Sequence, residues 1–185
     1  MALAADPRRN QLLAAMPAAE WGRLLPQLEF VDMPLGAVLD EPGAIMSNVF
    51  FPVTAIVSKM FVMKDGATAE IAVIGCEGMV GIAQFLGGQS APSRAVVQSA
   101  GYGYRLKSSV LAQELGEPLP LVRTLLSYTE ALIVQTSQTA VCNRHHSIEQ
   151  QLCRWLLLSL DRQGCITVLD RNKLEQRCCQ CYSVV

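Results

Sequence analysis

Between Glu29 and Leu106 the chain is cut into short β-rich runs, Glu29–Asp32, Ala37–Asp40, Val49–Phe51, Thr54–Met63, Thr68–Ile74, Ala95–Ser99 and Gly103–Leu106. Pro/Gly turns such as Met33-Pro34-Leu35-Gly36 and Glu41-Pro42-Gly43 separate them. Proline supplies no ladder donor and glycine takes backbone angles that other residues avoid, so such pairs end strands rather than continue them. Many short strands with regular turns predict a closed or double-sheet β-roll. Lys64-Asp65-Gly66-Ala67, an Asp-Gly pair between two apolar strands, predicts a tight hairpin.

On either side of this region the period changes. Arg8 to Gln27 places Leu12, Leu13, Met16, Trp21, Leu24 and Leu25 at spacings for one or two short amphipathic helices, with Pro17 near the start of the second. From Lys107 to Asp161 the pattern is helical. Ser108 or Ser109 is expected to cap a short helix running to Gly116, and Pro118 and Pro120 restart the chain into a longer one. Along it a heptad-like row runs Leu121, Leu125, Tyr128, Leu132, Gln135, Thr139 and Cys142. This row is expected to face a second subunit, with Val122, Leu126, Ile133 and Ala140 facing the roll; the alternative is that the first row packs on its own roll. Its polar half, Gln135 to Thr139, can set register or present hydroxyls and amides to a ligand trapped between roll and helix. Asn143-Arg144-His145-His146 then breaks the apolar pattern as a hinge, and Ser147 caps a further helix carrying Leu152, Trp155, Leu156 and Leu160.

Composition limits the classes open to such a chain. Its 185 residues, 51% hydrophobic and 17% charged, exclude wholesale disorder and suffice for one good core or two small domains. No run approaches the roughly 18 consecutive apolar residues of a membrane span. The N-terminal arginines lie inside an amphipathic pattern rather than before an apolar stretch, so no membrane association and a cytoplasmic location are expected. The seven cysteines are odd in number, and four fall at Cys165, Cys178, Cys179 and Cys181, so reduced thiols are expected. Residues 1–143 carry 9 basic and 12 acidic side chains and residues 144–185 carry 6 and 4, a balance that weakly favours a nucleic-acid-facing C-terminal end.

Three segments carry a resemblance: Gln138-Thr139-Ala140-Val141-Cys142-Asn143-Arg144-His145, then Glu149-Gln150-Gln151-Leu152-Cys153-Arg154-Trp155-Leu156-Leu157, then Ile166-Thr167-Val168-Leu169-Asp170-Arg171 with Cys179, Cys181 and Tyr182. Together with the β-roll, long helix and hinge, they resemble the Crp/Fnr superfamily of bacterial transcription regulators over essentially the whole chain. The resemblance implies an α+β fold. N-terminal helices (1–28) lead into a double-stranded β-helix, a jelly-roll-like and cyclic nucleotide-binding-like sensor domain (29–117). A dimerisation helix and hinge (118–146) and a winged helix-turn-helix domain (147–185) follow. It also implies a homodimer that senses a small effector and binds DNA. In that frame Cys165–Leu169 is a wing strand and Leu174–Tyr182 a terminal helix. Two helices and a turn need roughly 25–30 residues, whereas only Gln163 and Gly164 lie between the flanking elements. The reading helices are therefore expected to be missing through an internal loss, leaving a remnant. Specific DNA binding is expected to be weak or absent, and a mixed dimer with a full-length paralogue or a plain ligand-binding roll are the alternatives.

The resemblance further implies site residues. The effector pocket is expected at Glu77, Gly78, Gly81, Arg94, Gln135, Thr136 and Thr139. The dimer interface is expected at Leu121, Leu125, Tyr128, Leu132, Gln135 and Thr139, and DNA phosphate contacts at Arg154, Arg162, Arg171 and Lys173. Nucleotide-binding members carry a Gly-Glu pair and an Arg-Ser/Thr-Ala; here Gly81-Ile82 and Ser93-Arg94-Ala95 stand at those places. Ile82 accepts no ribose hydrogen bond and Arg94 is displaced by one position, so cyclic nucleotide is disfavoured and no cofactor is expected. Cys178-Cys179-x-Cys181 with only Cys165 nearby fits no zinc spacing, so no metal is expected. His145 and His146 are adjacent, about 100° apart on a helix, and no nucleophile elbow, P-loop or HExxH occurs, so no catalytic residue and no enzyme are expected.

Overall fold

The computed structural model describes residues 6–115, 120–162 and 169–184. Two short helices, α1 (Gln11–Ala14) and α2 (Ala18–Leu24), precede seven strands: β1 (Glu29–Met33), β2 (Val38–Asp40), β3 (Asn48–Pro52), β4 (Ile56–Val62), β5 (Thr68–Ile74), β6 (Arg94–Ser99) and β7 (Gly101–Lys107). A one-turn helix α3 (Ile82–Phe85) lies between β5 and β6. Six of the seven strands extend or trim the sequence expectation by no more than two residues at either end, and Thr68–Ile74 coincides with it.

All pairings are antiparallel, in a three-stranded sheet ordered β1-β7-β3 and a four-stranded sheet ordered β2-β6-β4-β5. The turn between β4 and β5 is closed by the Met63 N–H on the Ala67 carbonyl, with Gly66 at φ 88°. The Asp65 carboxylate accepts the Ala67 N–H, which is why an Asp-Gly pair belongs there. The roll encloses Met33, Val57, Ile74, Val80, Ala95 and Val97. A second core, with Leu13, Leu24, Phe51, Leu106, Leu111 and Leu125, joins the three-stranded sheet to the helices. Asn10 pins the N-terminal segment to the roll: its side-chain amide donates to the Pro52 and Gly78 carbonyls and its oxygen caps α1 at the Leu13 N–H.

After β7 come α4 (Ser108–Glu114), α5 (Pro120–His145), α6 (Ile148–Asp161), α7 (Arg171–Arg177) and a 3-10 turn over Gln180–Val184. Lys107 rather than a serine precedes α4 and offers no side-chain cap; Ser108 is instead the first helical residue. At the hinge Ser147 caps α6 as expected, and does so in a full capping box with Gln150. The expected terminal helix Leu174–Tyr182 is displaced: α7 starts at Arg171, where Asp170 caps the Lys173 N–H, and stops at Arg177 because Cys178 is extended. The expected strand at Cys165–Leu169 lies, apart from Leu169, outside the described residues. Only residues 162–170 separate α6 from α7. Among the described residues no helix is long and apolar enough to cross a membrane.

Candidate functional site

β5 is an edge strand of the four-stranded sheet, and an open edge leaves backbone donors and acceptors that must be covered. The Gln135 side chain covers one residue of it from α5. Its oxygen accepts the Val73 N–H at 3.1 Å and its amide donates to the Val73 carbonyl at 3.2 Å, as a neighbouring strand would. Three residues earlier on β5, Glu70 accepts from Ser58 and the Trp155 indole of α6. Burial pushes the Glu70 carboxyl above its ordinary value, with Ser58 and the charges of Arg154 and Arg162 opposing it.

Nearer the roll, the Tyr128 hydroxyl donates to the Met79 carbonyl at 2.9 Å and its ring lies over Gly78. A Cβ on Gly78 would stand 2.5 Å from that ring, so the contact requires glycine. Burial holds the phenol protonated. Between α1, β5 and α5 these contacts leave a cavity of about 730 Å³ lined by Leu12, Val73, Tyr128, Leu132 and Gln135, with Glu77 and Arg162 also on its wall. By area most of this lining is apolar, and polar side chains, among them Gln11, Glu77, Thr124, Ser127, Glu130 and Arg162, are set into it.

The charged part of the wall ties the C-terminal segment to the roll. Arg162, directly after α6, places its Nε 2.8 Å from Glu77 Oε1. Both Glu77 oxygens also accept the Gly75 N–H. Gly75 is packed against Arg162 so closely that a Cβ would meet the Arg162 Cβ at 2.6 Å. Burial raises the Glu77 carboxyl, opposed by the Arg162 charge. Among the described residues Arg162 Nη1 is buried with no hydrogen-bond partner.

The structure gathers some of the expected site residues and disperses others. Glu77 and Gln135 line the cavity and Gly78 lies behind its Tyr128 wall. Gly81, at φ 97°, packs on Val49 ahead of α3, and Ile82 is buried in the core. Arg94 does not line the cavity: its guanidinium makes a two-point contact with Glu41 at 2.9 and 2.7 Å on the surface. The Thr136 and Thr139 hydroxyls donate to the Leu132 and Gln135 carbonyls of their own helix, and neither residue lines this cavity.

The two faces of α5 are inverted relative to the expectation. Leu121, Leu125, Gln135 and Cys142 are buried against their own chain, with Tyr128 and Leu132 packed beside them. Leu126, Ile133 and Val141 are 50%, 61% and 47% exposed. The reason is Gln135 and Tyr128, whose polar tips reach backbone groups of the roll that an aliphatic row could not satisfy. Two expected phosphate contacts are likewise corrected. Arg154 is buried with its guanidinium toward Thr139, and Arg162 is bound to Glu77. Arg171 is exposed but bridges Asp161 and Glu175, and Lys173 lies on the exposed face of α7.

No family model matches the chain, and no curated protein matches it in sequence. Solved structures do match in shape. A protein from Eubacterium rectale assigned to the Crp/Fnr transcriptional regulators superposes with a TM-score of 0.70 at 8% identity, over 92% of this chain and 98% of that one. The c-di-GMP responsive global regulator CLP of Xanthomonas campestris gives 0.64 at 13% identity, over 91% and 88%. The sensor domain of the regulator DNR from Pseudomonas aeruginosa gives 0.55 at 16%, over 67% and 83%. The chain has the Crp/Fnr regulator fold. In that fold the antiparallel roll is the cyclic nucleotide-binding-like domain, and α5 occupies the place of the long helix that follows it.

Proposed function

We propose that this chain is the effector-sensing and dimerisation module of a bacterial Crp/Fnr-type transcription regulator, a cytoplasmic and non-enzymatic binding protein whose own hold on DNA is weak. The cavity between roll and α5 supports this most directly. A ligand there touches the roll, the long helix and, through Arg162, the start of the C-terminal segment, so binding would change how those three parts are held together. Arg162 Nη1, which has no hydrogen-bond partner among the described residues, favours an effector with an anionic or carbonyl oxygen. Ile82 in the core and Arg94 bound to Glu41 argue against a cyclic nucleotide.

The apolar residues exposed on α5 support pairing with a second copy through that face. The short path between α6 and α7 supports weak DNA contact, since it has no room for two reading helices. Light scattering of the purified chain is expected to give a dimer mass. Titration with duplex DNA at physiological salt is expected to give no complex tighter than about 1 μM, the range of non-sequence-specific binding. A monomer overturns the pairing, and a tight sequence-selective complex overturns the DNA part.

A further inference from the structure

At the far end of α5 the fold brings together four side chains that the cavity does not use. Cys142 lies in the last turns of α5, His146 one helical turn further on in the hinge, and Cys179 and Cys181 on either side of the start of the final 3-10 turn. Their sulfur and ring nitrogen atoms all lie within 4.8 Å of one another. We propose that Cys142, His146, Cys179 and Cys181 bind a single thiophilic divalent cation, Zn2+ by preference, in a closed structural site. This holds whether or not the regulator reading is right.

The spacing carries the argument. A tetrahedral zinc ion with Zn–S about 2.3 Å and Zn–N about 2.05 Å separates two of its sulfurs by about 3.8 Å and a sulfur from a nitrogen by about 3.6 Å. Cys142 Sγ and Cys179 Sγ are 3.6 Å apart, and Cys181 Sγ and His146 Nδ1 are 3.6 Å apart. All three thiols are buried and unbridged. Three thiolates and one neutral imidazole fill four positions, which leaves no open place for substrate or water and marks a structural rather than a catalytic ion. Iron–sulfur clusters are held by four thiolates in the common case, and here the fourth ligand is an imidazole. On binding, each thiol gives its proton to solvent, so the loaded site carries one negative charge. Buried Arg154, whose charge reaches all three sulfurs, stands beside it. Cys142 and Cys179 are 37 positions apart in the chain, so the ion would fasten the C-terminal segment to the end of α5 across the hinge.

The test uses the full chain purified under reducing conditions. Atomic spectrometry is expected to find one zinc per chain. Replacement by Co2+ is expected to give the intense visible absorption of tetrahedral cobalt together with thiolate-to-cobalt charge transfer. Cys179→Ser with Cys181→Ser is expected to weaken binding more than tenfold, whereas Cys153→Ser and Cys178→Ser leave the stoichiometry at one. Because a ligand-deficient variant can fail to fold, His146→Cys is the second arm: it keeps four ligands and is expected to retain zinc and strengthen the charge-transfer band. An unchanged cobalt spectrum in His146→Cys, absence of that spectrum in folded wild type, or a Cys142–Cys179 disulfide in the reduced preparation overturns the site.

Discussion

Single side chains in this protein do work that their identity alone does not announce. Tyr128 is anchored by one hydrogen bond to Met79 and by the missing Cβ of Gly78. Tyr128→Phe should cost about 1–2 kcal/mol, because a buried carbonyl loses its donor. Gly78→Ala should cost about 1–3 kcal/mol by overpacking against the ring. Urea denaturation of the two variants measures both, and an unchanged midpoint for either removes that contact from the account. Glu70 offers a pH signature. Its folded pKa lies above the ordinary 4.5, mainly through burial. The native state therefore holds its proton where the unfolded chain has released it, and stability falls as pH rises from about 4.5 through the raised value. Glu70→Gln should flatten the fall in melting temperature over that window; the same slope in wild type and variant would contradict it.

Helix α5 shows how one element can serve two partners. At about 1.5 Å per residue its 26 residues span about 39 Å, with one face fixed to the roll and the other exposed. Leu126→Asp combined with Ile133→Asp is expected to convert a dimer to a monomer, read by light scattering, while changing the folding stability of the subunit itself by no more than about 0.5 kcal/mol. Leu125→Asp should instead unfold the roll-facing core, since it buries a charge among apolar side chains. If Leu125→Asp gave a folded monomer and the exposed-face pair remained dimeric, the first-expected row would be the interface after all. The row Leu121 to Cys142 was legible as an apolar stripe, but two stripes on one helix were nearly equal in hydrophobicity. Hydrogen-bond satisfaction at Val73 and Met79, invisible in a period count, decided between them.

In the molecule as a whole the C-terminal segment is not a loose appendage. Arg162 joins it to Glu77 of the roll, and the Trp155 indole joins α6 to β5. Glu77→Gln leaves a buried guanidinium without its carboxylate and should cost about 1–3 kcal/mol, discounted because Glu77 is partly exposed. Limited proteolysis is expected to cut the C-terminal segment faster in that variant, at unchanged rates within the roll. Equal rates in both regions would show that the pair does not hold the two together.

Local rules sufficed for much of this architecture. The strands, the Asp65-Gly66 hairpin, the Ser147 capping box and the long helix all follow from turn chemistry, periodicity and side-chain caps, which act over a few residues. The absence of room between α6 and α7 was also readable by counting residues. Which face of α5 is covered, that Arg154 and Arg162 turn inward while Arg94 pairs on the surface, and that Cys142 and His146 meet Cys179 and Cys181 were decided by tertiary packing. The sequence held one usable sign of the last, the four-residue step from Cys142 to His146 on a helix. The other half of the ligand set lies far along the chain, and the burial and hydrogen-bond demands that join distant segments exist only once the roll and helices have packed.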